Sequence, residues 1–450
     1  MFSITSPIDE LSSHCDVVVI GSGYGGSVAA SRMARAGQDV CLLERGEEFL
    51  PGDYPDTAHE AANQVQWNLP DKQTGPERGL YDFHIDDDLS VLVGCGLGGT
   101  SLINANVVIE PSDEVFAADD WPTALRDPGS GSFPLRKGFE RARSMLQARP
   151  YPEADSRFPE LPKLDALRNS AQQMGASFGL PDLAVTFEDR VNAAGVEQSA
   201  CTLCGDCVSG CNYGAKNTLL MNYLPDAWSH GAKLFTGIEV RYLERNEDRW
   251  KVYYRPTKLK RETFDAPEPF VTAETVFVAA GALGSTEILL RSRREGNLST
   301  SECLGEGFSG NGDALGFAYN SDSPVRSVGH GSAEPGEHSP VGPCISGVID
   351  FRDSDQHFDG DLLVEEGTLP GALAEFIPAI LADAASAYGR DTDRGLVDAV
   401  REKGREFDSL IRGPRNGAVA HSQIYLAMGT DSSDGEMRLE DDRLRILWPQ

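Results

Sequence analysis

The six residues Gly21-Ser22-Gly23-Tyr24-Gly25-Gly26 constrain this chain more than any other stretch. They follow directly on Cys15-Asp16-Val17-Val18-Val19-Ile20, a β-branched run of the kind that forms a buried parallel strand. Ser27 to Ala36 is small and suits a helix, which Gly37 can end. Val40-Cys41-Leu42-Leu43 then reads as a second strand that closes on Glu44. Strand, Gly-x-Gly-x-x-Gly turn, helix and strand make a βαβ unit; without that context the glycine motif is a weak signal and an ordinary turn. Gly21 permits the tight turn, Gly23 lets backbone approach a pyrophosphate, and Gly26 allows close helix–strand packing. The helix start offers free N–H groups and a positive dipole end to phosphate oxygens. Glu44 can accept hydrogen bonds from ribose hydroxyls. The unit predicts a doubly wound α/β fold that binds a dinucleotide.

The segments beyond it are less regular. Residues 49–88 scatter Pro, Gly, Asp and Trp and read as a covering loop region. From Val91 to Asn104 a short strand runs into a second glycine-rich turn, with glycines at 94, 96, 98 and 99. Such a turn lets backbone pass close to a flat ligand, or serves as a structural loop. Residues 111–200 mix Pro-rich turns with amphipathic stretches such as 135–146 and suggest a substrate-binding part. Tyr242 to Ala273 alternates like an antiparallel excursion, and Val276 to Ala282 is a buried strand running into small residues, with a helix over 285–293. Residues 321–343 read as loop and 376–411 as a surface-facing helical stretch. No fixed-period repeat is present.

Together these segments resemble the glucose–methanol–choline (GMC) family of FAD oxidoreductases, in its bacterial cholesterol-oxidase-like branch. The matching pieces are Leu42-Leu43-Glu44-Arg45-Gly46, the loop Gly96 to Asn104, Gly214-Ala215-Lys216-Asn217-Thr218 leading to Asn222-Tyr223-Leu224, a strand ending at Val240, Ala280-Gly281-Ala282-Leu283-Gly284-Ser285-Thr286, and Ile424 to Trp448. The resemblance implies a Rossmann-like FAD-binding domain interleaved with an antiparallel-sheet substrate domain. The first part of the FAD domain would span 12–115 and its second 201–310, with substrate-domain segments at 116–200 and 311–450. Gly98, Gly99 and Asn104 would lie along the flavin and pyrophosphate. Val240 would meet the adenine edge, though plain core packing explains it equally, and Ala280 and Gly281 would close over the adenosine side. Some relatives link the flavin through a His that matches Ile103 here, so non-covalent FAD is expected; Cys95 is close enough for a thioether but reads as a small buried residue. Glu365 matches an acid/base Glu, and the competing reading makes Glu365 and Glu366 ordinary surface acids. Gly310-Asn311-Gly312 resembles a motif near the substrate site and is also a turn signal. The family's His-Pro-x-Gly-Gly-like catalytic motif is not found at any of the eight histidines. The expectation is a chain truncated at its C-terminal end, missing the last part of the FAD domain and inactive or nearly so alone. The parent activity implied is hydride transfer from a hydrophobic, sterol-like alcohol to flavin, with oxygen or an electron-transfer protein as acceptor.

Composition narrows the partners. Lys and Arg total 40 against 70 Asp and Glu, a formal charge of −30. That argues against nucleic acid, which needs a basic footprint. No apolar run reaches the ~18 residues of a membrane span, and Met1 to His14 lacks the pattern of a signal peptide, so a cytoplasmic protein is expected. Nine cysteines are too sparse for a disulfide scaffold, yet four of them stand as Cys201-x2-Cys204-x2-Cys207-x3-Cys211. That is the ligand spacing of bacterial ferredoxins, with Asn212 in place of the usual Pro. An iron–sulfur cluster, a structural zinc, a redox disulfide and an unmetallated turn beside the FAD all remain open. A cluster would suit a dehydrogenase passing electrons onward; a third reading is a shortened, non-catalytic flavin-binding chain.

Overall fold

The computed structural model describes residues 2–119, 121–126, 133–246, 248–257, 267–352, 362–390 and 395–449. Its organising element is a six-stranded sheet. Strands run in the spatial order Lys233–Phe235, Val40–Leu43, His14–Ile20, Phe270–Val278, Arg249–Pro256 and Ile238–Asn246. The first four are parallel and the last two antiparallel. Val17 and Val19 face one layer of the core with Ala30, Ala34 and Leu224, whereas Val18 and Ile20 face the other with Phe235, Val252 and Ile288. A strand buried on both faces explains the unbroken β-branched run. Register sets the site: Ile20 lies opposite both Leu43 and Val278, so three strands end level and release Gly21, Glu44 and Ala279 along one edge. In open α/β sheets ligands bind outside that carboxyl edge. The α/β, doubly wound fold class is as expected.

Several elements differ from the sequence reading. The antiparallel excursion begins at Ile238, so Val240 sits near a strand's start rather than its end; residues 258–266 of that excursion lie outside the described residues. Residues 49–88 are more ordered than expected. Thr57 and Glu60 form a capping box on helix Ala58–Ala62, and strands Val65–Asn68, Gln73–Thr74, Tyr81–Ile85 and Ser90–Gly94 make a four-stranded sheet. Its interior positions include Gln66 and Asp82, both buried, and polar residues facing inward hide the usual alternation. The stretch 376–411 is two helices, Ile377–Tyr388 and Leu396–Arg412, because the chain turns extended at Gly389; residues 391–394 lie outside the described residues. Cys15 and Cys41, on adjacent parallel strands, form a disulfide that spacing did not suggest.

A five-stranded antiparallel sheet runs in the order Ala314–Ala318, Gln423–Gly429, Leu362–Gly367, Val348–Asp350 and Ser177–Gly179. Its edge strand comes from 177–179 and the others from 314–429, so this sheet is interleaved in sequence with the first. Helix Pro162–Met174 covers it, placing Leu167 and Ala171 against Ile349 and Phe351. No described helix is long and apolar enough to cross a membrane.

Candidate cofactor cleft and acid–base site

A cleft of about 810 Å³ opens at the level edge of the parallel strands. Two glycines there are dictated by packing. Gly21 has φ +88°, and a Cβ on it would lie 2.6 Å from Ala279 O. A Cβ on Gly26 would lie 1.9 Å from Gly21 O, so helix Tyr24–Arg35 can reach the turn only with hydrogen at that position. Gly23 is different: a Cβ would meet nothing within 4 Å, and the residue lines the cleft. Free space beside backbone is what an approaching phosphate requires. Helix Gly281–Glu295 also starts at the cleft, and neither its N-cap, Ala280, nor Gly23 supplies a side-chain cap. Two positive helix ends with uncapped N–H groups therefore face one space.

Glu44 is buried and lines the same cleft. Its carboxylate accepts from Ser22 N (3.0 Å), Ser22 Oγ (2.6 Å) and Gly46 N (2.8 Å). Three donors hold it in place and leave one of its four lone-pair sites for a ligand hydroxyl. Ser22 Oγ in turn accepts from the Gly98 N–H at 2.8 Å, which docks the second glycine loop on the first. Gly99 and Cys95 line the cleft. Burial pushes the Cys95 thiol up to about 11, so it stays protonated. Val240 packs in the sheet's core and also lines the cleft. Ala280 and Gly281 line it too. Gly26, Gly98 and Asn104 are not among the residues that line it; Asn104 Nδ2 donates to Tyr24 Oη at 2.9 Å. Ile103 is core.

The sequence reading missed the cleft's arginines. Arg45 pairs with the buried Asp82, and Arg255 with Glu239 (Nε–Oε2 3.0 Å). Arg241 bonds Glu239 at 2.8 Å and also Asp442, at the turn of the hairpin Glu436–Leu447. Arg291 reaches Asp442 Oδ1 at 3.0 Å. Burial alone would raise the Asp442 carboxyl, but Arg291 and Arg241 outweigh it and hold it down at about 2. The alternation of Glu239 and Arg241 on one strand was the only sequence signal; the remaining partners are remote.

Glu365 lies in the second sheet, cross-strand from Val348 and Leu426, and does not line the cleft. It is 1% exposed, so the surface-acid reading fails. Burial, then the neighbouring charges of Glu366 and Asp313, push its carboxyl up to about 8. Its Oε1 has no hydrogen-bond partner among the described residues. Glu366 is equally buried but satisfied: Lys163 Nζ bonds Oε1 at 2.7 Å, and the N–H groups of Ser346 and Gly347 donate to it at 2.8 Å each. Gly310-Asn311-Gly312 forms a turn held by Asp431, whose Oδ2 accepts from Gly310 N at 2.7 Å.

Cys201, Cys204, Cys207 and Cys211 line one small separate pocket together with Lys216, and none is disulfide-bonded. Burial pushes the thiols of Cys201, Cys204 and Cys207 up. Among the described residues no three His, Cys, Asp or Glu side chains are gathered closely enough to hold a metal ion.

Several known proteins are similar to this chain. The GMC oxidoreductase family model matches residues 15–298. A cholesterol oxidase of Mycobacterium tuberculosis is 31% identical over 298 residues, covering 63% of this chain and 49% of its own length. A cholesterol oxidase of Acinetobacter baumannii is 25% identical over 67% of this chain and 54% of its own. A long-chain-alcohol oxidase of Arabidopsis thaliana is 28% identical over 53% of this chain and 28% of its own. This chain thus spans about half the length of the cholesterol oxidases it matches. A fungal aryl-alcohol oxidase structure superposes with a TM-score of 0.52 at 14% identity, over 95% of this chain and 77% of that one, and so shares the fold. With a family model matching residues 15–298, well over half of its length, this chain belongs to the GMC oxidoreductase family.

Proposed function

We propose that the chain binds FAD non-covalently in the cleft and serves an oxidoreductase that oxidises the CH–OH group of a hydrophobic, sterol-like or long-chain alcohol. The observation that carries this reading is the single cleft faced by two uncapped helix starts and the buried Glu44. The pyrophosphate would sit at Gly21, Gly23 and the helix start, the ribose at Glu44, the adenine edge at Val240, and Ala280 and Gly281 over the adenosine side. The flavin and pyrophosphate would run along the loop of Gly98, Gly99 and Asn104. Bound flavin supplies the hydride acceptor. Within the chain, the two glycine loops orient that group, and Glu365 is the residue suited to hold or take a proton near neutral pH. The relatives' names support an alcohol as donor; the final acceptor would be oxygen or an electron-transfer protein.

Purified protein tests this directly. The expected result is a flavin band near about 450 nm, with FAD released on denaturation. A sterol or a long-chain alcohol should raise the melting temperature of the FAD-loaded protein more than ethanol does. Failure to bind FAD even after incubation with excess cofactor would overturn the reading.

A further inference from the structure

The hairpin Glu436–Leu447 forms no ladder with another strand among the described residues. A lone two-stranded hairpin is marginal in water, so its docking decides where it stands. Its base is anchored on residues 305–308: Phe308 N donates to Gly435 O at 2.8 Å, Gly435 N to Phe308 O at 3.0 Å, and Met437 N to Gly305 O at 2.7 Å. Met437, Leu444 and Ile446 then pack with Leu283 and Leu290 of helix Gly281–Glu295. Its tip reaches the cofactor cleft, which residues 441–445 help to line.

The tip is fastened by charge. Glu440 and Arg443 are the last cross-strand pair, so Asp441 and Asp442 form a two-residue turn, with φ +47° and +64°. Turns of that kind favour Asn or Gly. What the Asp442 carboxylate adds is a bond to three arginines on two other elements. Arg291 Nε and Arg294 Nη2 donate to its Oδ1 at 3.0 and 2.6 Å, Arg241 pairs with its Oδ2, and Arg291 Nη2 donates to its backbone oxygen at 2.8 Å. All three ion pairs go to Asp442; Asp441, beside it, takes part in none of them. A second fastening lies on the flank. Arg445 pairs with Asp86, whose Oδ2 also accepts from Ile446 N at 3.0 Å. Asp86 follows strand Tyr81–Ile85 of the small sheet. Arg241, Arg291 and Asp86 all line the cleft, so one hairpin ties together parts of its wall that come from three separate elements.

We propose that this hairpin is the strap that retains the dinucleotide, hinged at 305–308 and fastened by Asp442 at its tip and Arg445 on its flank, and that the cofactor leaves when these fastenings break. Asp442 is a positioning residue: it acts through Arg241, the neighbour of Val240, where the adenine edge is assigned. The identity of what is retained rests on the flavin reading; the fastening itself does not.

The test is the rate of FAD release after dilution of loaded protein, followed by the return of flavin fluorescence. Asp442→Asn keeps a residue that accepts positive φ and removes the charge. It should speed release by about five- to ten-fold. Asp441→Asn, the matched change one residue away, should leave the rate at the parent value. Sodium chloride should speed release from the parent, and less so from Asp442→Asn, because screening acts on the fastening. A second readout needs no cofactor. In unloaded protein, amide hydrogen exchange over Met437 to Ile446 should quicken in Asp442→Asn while that of Val17 to Ile20 stays as in the parent. Release from Asp442→Asn at the parent rate, equal acceleration by Asp441→Asn, or unchanged exchange in the hairpin would overturn the strap and leave the flavin reading standing. Protein that never takes up FAD sinks the flavin reading and the retaining role with it, while the exchange measurement still decides whether Asp442 fastens the hairpin.

Discussion

Glu365→Gln should flatten the pH dependence of stability. The Glu365 carboxyl rises from an ordinary 4.5 to about 8 in the folded chain. Its causes are burial, the charge of Glu366 and that of Asp313, in that order. A shift of that size corresponds to about 4–5 kcal/mol between the two protonation states. The folded state keeps a proton that the unfolded state releases above 4.5, so the unfolded state binds fewer protons through this window. Stability from this group is therefore complete below about pH 4.5 and is lost as pH rises toward 8. Gln mimics the protonated acid and does not titrate. Between about pH 5 and pH 8 the parent should lose roughly 4 kcal/mol relative to Glu365→Gln, leaving the variant the more stable protein at the alkaline end. Urea midpoints at constant ionic strength, followed by tryptophan fluorescence, read that difference. The protonated-carboxyl band in infrared spectra at neutral pH should disappear in the variant. Parallel pH profiles for the two proteins would refute the assignment. Asp313→Asn should lower the Glu365 midpoint only slightly, being the smallest of the three influences.

Other perturbations follow from named contacts. Gly26→Ala forces a Cβ to 1.9 Å from Gly21 O; it should destabilise by about 3 kcal/mol and abolish FAD retention in gel filtration. Lys163→Met strands Glu366 in the core and should cost about 3–5 kcal/mol in urea unfolding, whereas Lys163→Met/Glu366→Leu should recover most of it. Cys15→Ala/Cys41→Ala opens a loop of sequence separation 26; it should cost about 3.5 kcal/mol by chain entropy. Peptide mapping without reductant should recover the Cys15 and Cys41 peptides joined.

What the sequence revealed was local, and what it hid was remote. The βαβ unit was legible because strand, turn, helix and Glu44 fall within 30 residues and each glycine answers a nearby atom. The second glycine loop was recognisable for the same reason. Glu365 could be aligned but not understood, since its burial depends on a strand pairing with Leu426 and its neighbour's charge on Lys163, 203 residues before Glu366. Lys216 appeared only as part of a motif; its grip on Leu102 and Asn104 spans more than 110 residues. The small sheet of 65–94 escaped notice because Gln66 and Asp82 point inward, stabilised by partners such as Arg45 that periodicity cannot anticipate.

The bond between Cys15 and Cys41 has a further meaning. Its cysteines are 0% and 1% exposed, inside the layer beneath the cofactor cleft. Thiol–disulfide exchange needs an attacking thiolate to reach sulfur, and here none can without opening the sheet. The exposed Cys303 would equilibrate with its surroundings, while this pair would not. Burial of both sulfurs therefore ties reduction of the bond to opening of the sheet. A reductant added to the folded protein should therefore read the unfolding rate of the sheet rather than the potential of the bond.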